Sequence, residues 1–399
     1  MPEAEAVDPC AFKDWDELLG RTPGSSFFHT AAWADVLREA YRYEPLYFTV
    51  TGPASLEALL PVMEVDSLLT GKRGVSLPFT DYCEPIASDA GQFRELFAAA
   101  VAWGRKRGWR YLELRGGEAF LDRTEPSEWH YAHTLDFTKK GTGLFSGTSR
   151  AENGDGARTG TDPIDDAAPA KSGTAADHGT DSFPGPNRAA TASAAPDLFS
   201  LFSDATRRNI RKAEKQGLDI AVSTSPDALQ AFCRLNALTR RLHGLPPQPR
   251  RFFRCVQDRI LSRNNGFIVL ASLHGTAIAA NVYFTFGDRI IYKYGASDRA
   301  FQHLRASNLV MWEAIQWACN HGYRTLCLGR TEPGNEGLRK FKLGWGAEEH
   351  LIRYYRYDLR KEAFIPAPHV VRPLHRRIFG GLPIPVLNAL GSLLYRHMG

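Results

Sequence analysis

The sequence predicts an α/β protein made of two folded blocks with a disordered insertion. Helix-period and strand-period stretches alternate over residues 25–138, and alternate again over 217–359. Between them, 139–196 turns into a Gly-, Ala-, Ser-, Thr-, Asp- and Pro-rich tract with few large apolar residues. Such a tract buries too little surface to offset its ordering entropy, so disorder is expected there.

In the first block, SSFFHTAAWADVLREAY places Phe28, Trp33, Val36 and Leu37 at helical spacing behind Ser25 or Ser26. LYFTV reads as a strand and LEALLPVMEV as its hairpin partner across a Gly-Pro turn. GVSLPFTDYCEPIAS is expected to be a strand running into a polar loop. GQFRELFAAAVAWGRKRG is an amphipathic helix stopped by Gly108, and WRYLELRG and HYAHTLDFT follow as strands. Residues 1–24 are assigned to an N-terminal extension.

The second block opens with a helix capped by Ser203 or Asp204 and ended by Gly217; residues 197–216 form a basic connecting helix. LDIAVS is a strand. SPDALQAFCRLNALTRRLHG is a helix with Pro226 at its first position, and RRFFRCVQDRILSRN is another. FIVLASLHGTAIAANVYFTFGDRIIYKYGAS reads as a three-strand meander turning at His274-Gly275 and Gly287-Asp288. A helix, a strand, a short helix or loop at GLRKFKLGWG, and a last strand, LIRYYRYDL, complete it.

Bulk properties exclude several classes. A net charge of +5 is too small an excess to argue for nucleic-acid binding. The acidic start, MPEAEAVDPC, is not a secretory signal, and no apolar run is long enough to span a bilayer. The six cysteines form no CxxC pair and no metal-ligand spacing, which predicts reduced thiols, no metal and a cytoplasmic location.

Candidate site residues cluster in a few segments. TRRNIRKAEK (206–215) puts Arg207, Arg211 and Lys215 on one helical face with Arg208 beside them, a row suited to a phosphate or diphosphate. GRTEPGNEGLRKFKLGWG follows a buried-looking strand and concentrates Arg330, Glu332, Lys340 and Lys342. Glu336 and Lys340 are spaced for a helical ion pair. Strand alternation sends Tyr292 and Tyr294 to one face, as an acceptor wall, and Lys293 to the other. Asp298, Arg305 and Asn308 lie just beyond that strand as substrate-binding candidates. His243, after a helix and before a Pro-rich loop, is a candidate general base. In SLPFTDYCEP, Asp81 and Tyr82 are candidates to orient a substrate amine or sugar hydroxyl, whereas Cys83 has no basic neighbour in the chain to make it nucleophilic.

TRRNIRKAEK resembles the basic helix between the two halves of FemAB-type transferases. GLRKFKLGWGA (337–347) resembles the G-x-x-x-F-K-x-G-[FW]-G segment near the end of that family. WEAIQWACNHGYRTLCLGRTEP, FFHTAAW and SLPFTDY fit the same pattern, over roughly 25–359 without the insert. The resemblance implies two tandem GNAT-like acyltransferase domains, the second catalytic, with the family's catalytic lysine falling at Lys342. It implies transfer of an activated acyl or aminoacyl group to an amine of a peptidoglycan or exopolysaccharide precursor. The expected partners are a phosphate-bearing small molecule or a lipid-linked envelope precursor.

No bound cofactor is implied, only an activated donor, aminoacyl-tRNA or acyl-CoA. The long coiled-coil arm of some family members is absent, which speaks against a tRNA donor. Counting from Gln302, Arg305 and Ser307 stand where CoA-binding members carry glycines, which speaks against CoA held in the usual way. A CoA-dependent N-acetyltransferase and a non-catalytic scaffold for envelope assembly remain the alternatives. The basic tail (360–399) ends in a short apolar stretch, 382–395, suited either to the inner-membrane interface or to the protein's own surface. The whole reading requires a cationic cleft that Lys342 and the Arg207/Arg211 row both face.

Overall fold

The computed structural model describes residues 4–52, 55–139, 198–366 and 379–399. Apart from Lys139, the segment expected to be disordered lies outside the described residues.

The first lobe runs β1 (Glu5–Val7), α1 (Trp15–Gly20), α2 (Ala31–Tyr41), β2 (Glu44–Thr51), β3 (Leu56–Val65), β4 (Arg73–Ser76), α3 (Ala90–Arg107), β5 (Tyr111–Arg115) and β6 (Glu128–Asp136). The second begins with α4 (Leu198–Leu201) and α5 (Asp204–Glu214). It continues with β7 (Asp219–Ser223), α6 (Pro226–Leu242), α7 (Arg250–Arg259), β8 (Gly266–Leu273), β9 (Thr276–Phe286) and β10 (Arg289–Ser297). Then come α8 (Ala306–Asn320), β11 (Thr325–Thr331), α9 (Glu336–Leu343), β12 (Glu348–Asp358), β13 (Ala363–Ile365) and α10 (Ile384–Leu394).

Local chemistry sets the helix ends. Ser225 Oγ accepts the Ala228 N–H and Pro226 opens α6, as the sequence predicts. Asp89 caps α3, whose end is turned by Gly108 at φ 75°. Ser203 Oγ, the first of the two expected caps, accepts the Thr206 N–H of α5.

One sheet joins both lobes, in the order β1-β2-β3-β4-β5-β12-β6-β11-β10-β9-β8-β7, with β13 beside β12. Exchanging each first-lobe strand for the one six places later reproduces this order reversed. The lobes are therefore related by an approximate two-fold axis between β12 and β6, an internal repetition invisible in the sequence. Each lobe lends its last strand to the other: β6 pairs with β11, and β12 with β5. The only parallel pairs among the described strands, β4 with β5 and β10 with β11, are equivalent, each bridged by one helix, α3 or α8.

One face of the sheet carries a core shared by both lobes, in which Trp33 of α2 meets Phe252 of α7 edge to face at 6.2 Å. Burying such a side chain contributes about 2 kcal/mol. The other face is covered by α3 in the first lobe and α8 in the second. The supposed N-terminal extension belongs to the first lobe: β1 pairs with β2, and Trp15 and Leu19 are buried. The tail docks as well: α10 buries Leu387, and the buried Tyr395 hydroxyl donates to Pro246 O at 3.1 Å.

Candidate active site at the lobe junction

Strands β10 and β11 pair in parallel from Arg289/Thr325 to Ile291/Cys327 and then part. Beyond that point each is bulged, β10 between Tyr292 and Tyr294, β11 between Cys327 and Arg330. Bulges bend a strand and re-aim its side chains, so the C-terminal ends of the two strands flank an opening. Gly329 sits in the second bulge at φ 71°, where a Cβ would come 3.1 Å from Asp81 Oδ2. Only glycine meets both demands without strain.

The α9 helix crosses this opening. Asn335 Oδ1 accepts the Leu338 N–H at its start, and its last turn carries Lys342 inward until the residue is 2% exposed. Lys342 Nζ donates to Gly329 O at 2.8 Å and Arg330 O at 2.9 Å. An ammonium has three donors, and the third has no hydrogen-bond partner among the described residues. Burial lowers the Lys342 pKa to about 8, against the pull of the Asp81 carboxylate.

Asp81 arrives from the first lobe on the loop after β4. His29 fixes that loop: the Ser26 N–H donates to His29 Nδ1 at 3.1 Å, which leaves Nε2–H to donate to Glu84 O at 2.9 Å. Tyr354 of β12 donates its hydroxyl to Asp81 O. Lys293 Nζ lies 3.5 Å from Asp81 Oδ2 and donates to Phe79 O at 2.6 Å. Arg330 Nη1 donates to Tyr354 Oη at 3.1 Å, and Arg330 and Arg115 both lie over the Tyr354 ring. Burial acts to raise the Asp81 pKa, but Lys293, Arg330 and Lys342 outweigh it and hold the group below the usual carboxylate range. Three cations thus face one carboxylate, an arrangement with spare positive charge for an oxyanion.

Lys340, two residues from Lys342, points the other way from α9. It lines a cavity of about 360 Å³ with Asp298, Arg305, Asn308, Ser203 and Thr206. The N-terminus of α8 opens there, with Arg305 at φ 60° in its cap. The ion pair expected for Lys340 goes elsewhere: Glu336 pairs with Arg339 at 3.6 Å, and Arg339 also forks onto Glu349.

Several expectations are corrected. Tyr292 and Tyr294 lie on opposite faces, because the bulge at Lys293 breaks the alternation. Tyr292 packs on Tyr283 with ring centroids 5.6 Å apart, and Tyr294 packs against Phe232, Phe252 and Phe253. The Arg207/Arg211 row does not turn toward Lys342. Thr206, Ile210 and Ala213 form the buried stripe of α5, leaving Arg207 on Ser200 O and Asp204, and Arg211 over the Phe199 ring. Arg208 is exposed, and His243 stands exposed at the end of α6.

Tyr82 packs against the small cluster of Ala132, Ile352 and Tyr354 beside Asp81. Glu332 is half in solvent at the rim, pairing with Arg330 and His130, each at 3.3 Å. Cys83 does meet an imidazole, His29 Nε2 at 3.6 Å, yet burial pushes the thiol far up, so it is inert. Sequence reasoning missed Lys293, Tyr354, His130 and His29 as site residues. The one signal for Lys293 was a lysine inside an apolar strand.

Residues 202–350 match the acetyltransferase (GNAT) domain family. The fold is similar to that of FemX, with a TM-score of 0.60 at 11% identity over 87% of this chain and 95% of that one. A conserved protein of unknown function from Bacteroides thetaiotaomicron is similar at a TM-score of 0.50 and 12% identity, over 88% of this chain and 99% of that one. A tandem GNAT protein from the clavulanic acid biosynthesis pathway aligns at a TM-score of 0.49 and 10% identity, over 90% and 98% of the two chains. No curated protein matches the chain. Residues 202–350 thus carry a GNAT-type acetyltransferase domain, and the two-lobe architecture resembles that of FemX in fold.

Proposed function

We propose that the chain moves an activated acyl or aminoacyl group onto an amine of a phosphate-bearing cell-envelope precursor. The observation that carries this is Lys342, buried with one unspent N–H at the opening between β10 and β11. The acceptor amine attacks the donor carbonyl there, forming the new C–N bond. The carbonyl oxygen becomes an oxyanion that Lys342 stabilises. The oxyanion collapses, the donor's alcohol or thiol leaves, and the amine's proton departs with it or to solvent. Asp81 holds Lys342, Lys293 and Arg330 charged around the reacting atoms, and Arg330 and Lys293 keep its loop in place.

The donor's phosphate occupies the cavity of Lys340, Arg305 and Asn308, with Asp298 beside it. Arg305 and Ser307 fill the place that CoA's pyrophosphate needs as bare backbone, which favours an aminoacyl-tRNA or another phosphate-bearing donor over CoA. The experiment is a mass-spectrometric transfer assay, pairing aminoacyl-tRNA or acyl-CoA with muropeptide and amino-sugar nucleotide acceptors. Product with wild type and none with Lys342→Met supports the reading. Envelope function that persists in the Lys342→Met strain sinks it in favour of a scaffold.

A further inference from the structure

A second cationic feature lies outside the transfer site. Between α2, α7 and α10 is a cleft of about 400 Å³ lined by Tyr41, Arg42, Arg250, Arg251, Ser392 and Arg396. Among the described residues, Arg251 alone of the four arginines has a carboxylate partner, Glu39 at 3.6 Å. Tyr41 lines this cleft, its ring stacked on Phe252 with centroids 5.6 Å apart.

The cleft is bordered by apolar side chains that point into solvent. Leu393 is 66% exposed and Met398 53%, although α10 itself is seated firmly. At Gly391 a Cβ would stand 2.1 Å from Pro247 O, so the helix lies directly against that loop. From Arg396 the chain passes to His397, whose Nδ1 meets Ser67 Oγ at 3.0 Å. That serine opens the loop between β3 and β4, whose tip holds Leu68 and Leu69, 93% and 67% exposed. One stretch of surface therefore joins protruding leucines to four arginines.

We propose that this surface docks on an anionic lipid bilayer, with Leu68, Leu69, Leu393 and Met398 entering the interfacial layer and a lipid phosphate seated in the arginine cleft. Apolar side chains standing out from two separate segments suit a fluid acyl layer rather than a shaped protein partner. The arginines match its negative charge. Among the described residues no helix is long and apolar enough to cross a membrane, so attachment is peripheral. The docking does not depend on the transfer chemistry, and either can fail alone.

The test is cosedimentation of the full chain with vesicles of phosphatidylcholine alone, and of phosphatidylcholine with phosphatidylglycerol. Binding is expected only to the anionic vesicles and falls with added salt. Arg42→Gln/Arg250→Gln, and separately Leu69→Ser/Leu393→Ser, each weaken it about tenfold, with unchanged circular dichroism. Calorimetry with glycerol phosphate forms the second arm. Binding of that soluble phosphate without recruitment to vesicles overturns the docking proposal. Equal binding to both vesicle types, or binding indifferent to these substitutions, overturns it too.

Discussion

The carboxylate of Asp81, carried by the first lobe, lies 3.5 Å from the ammonium of Lys293, carried by the second. This contact is where the two lobes become one site. Among the described residues each is the other's only ion-pair partner, and Arg330 and Lys342 add second-lobe charge around the same carboxylate.

Removing the carboxylate strands those cations. Asp81→Ala is expected to lower stability by about 3 kcal/mol, read as a shift in the urea midpoint. Lys293→Met in the same chain recovers part of the loss, because the uncompensated cation is then gone. Additive losses would deny the coupling.

Lys342 and Lys340 belong to one helix but point apart, and their substitutions should separate in kinetics. Lys342→Met is expected to lower kcat about a hundredfold or more with KM little changed, since an oxyanion exists only in the transition state. Lys340→Ala is expected to raise the donor KM about tenfold with kcat nearly intact. The reverse pattern would move the reacting carbonyl to the other side of α9.

The same lysine sets a pH limit. Its pKa, lowered to about 8 by burial, means that its charge is lost as pH rises through that value. Wild-type kcat is therefore expected to fall above pH 8 where the acceptor amine is already neutral. The residual rate of Lys342→Met should show no such limb. A wild-type rate that climbs through this range would make Lys342 a proton acceptor instead.

His29 predicts the acid behaviour of the fold. Burial lowers its pKa to about 4 from an ordinary 6.5. The native state then binds fewer protons than the unfolded chain between those values, so stability falls as pH drops from 6.5 toward 4 and levels below. The loss amounts to about 2 kcal/mol between pH 7 and 5. In urea titrations at the two pH values, His29→Gln should lose this difference while starting from a lower stability at pH 7.

Some of this was legible in the residues. Ser225-Pro226 and Gly108 announce helix ends through bonds made within a few residues, and the FKxGWG pattern singled out Lys342. Other features were not. Alternation set Lys293 merely on the face opposite Tyr292 and Tyr294, because a bulge leaves no mark in residue identity alone. The pair Glu336/Lys340 satisfied helical spacing, yet Glu336 turned to Arg339, which Glu349 of β12 also engages. The Arg207/Arg211 row was real as a row, but which side of α5 is buried depends on α8.

The chain by itself determined its alternating helices and strands and their caps and turns, because those rest on short-range spacing and backbone preference, while its resemblance to the FemAB family pointed to Lys342. The fold decided the exchange of β6 and β12, the meeting of Asp81 with Lys293, and the orientation of each cation. The first two depend on pairs such as Asp81 with Lys293 and Thr134 with Glu348, more than two hundred positions apart. Local propensity carries no information about which distant strand will pair, and burial, which the assembled sheet alone defines, sets the charge each side chain keeps.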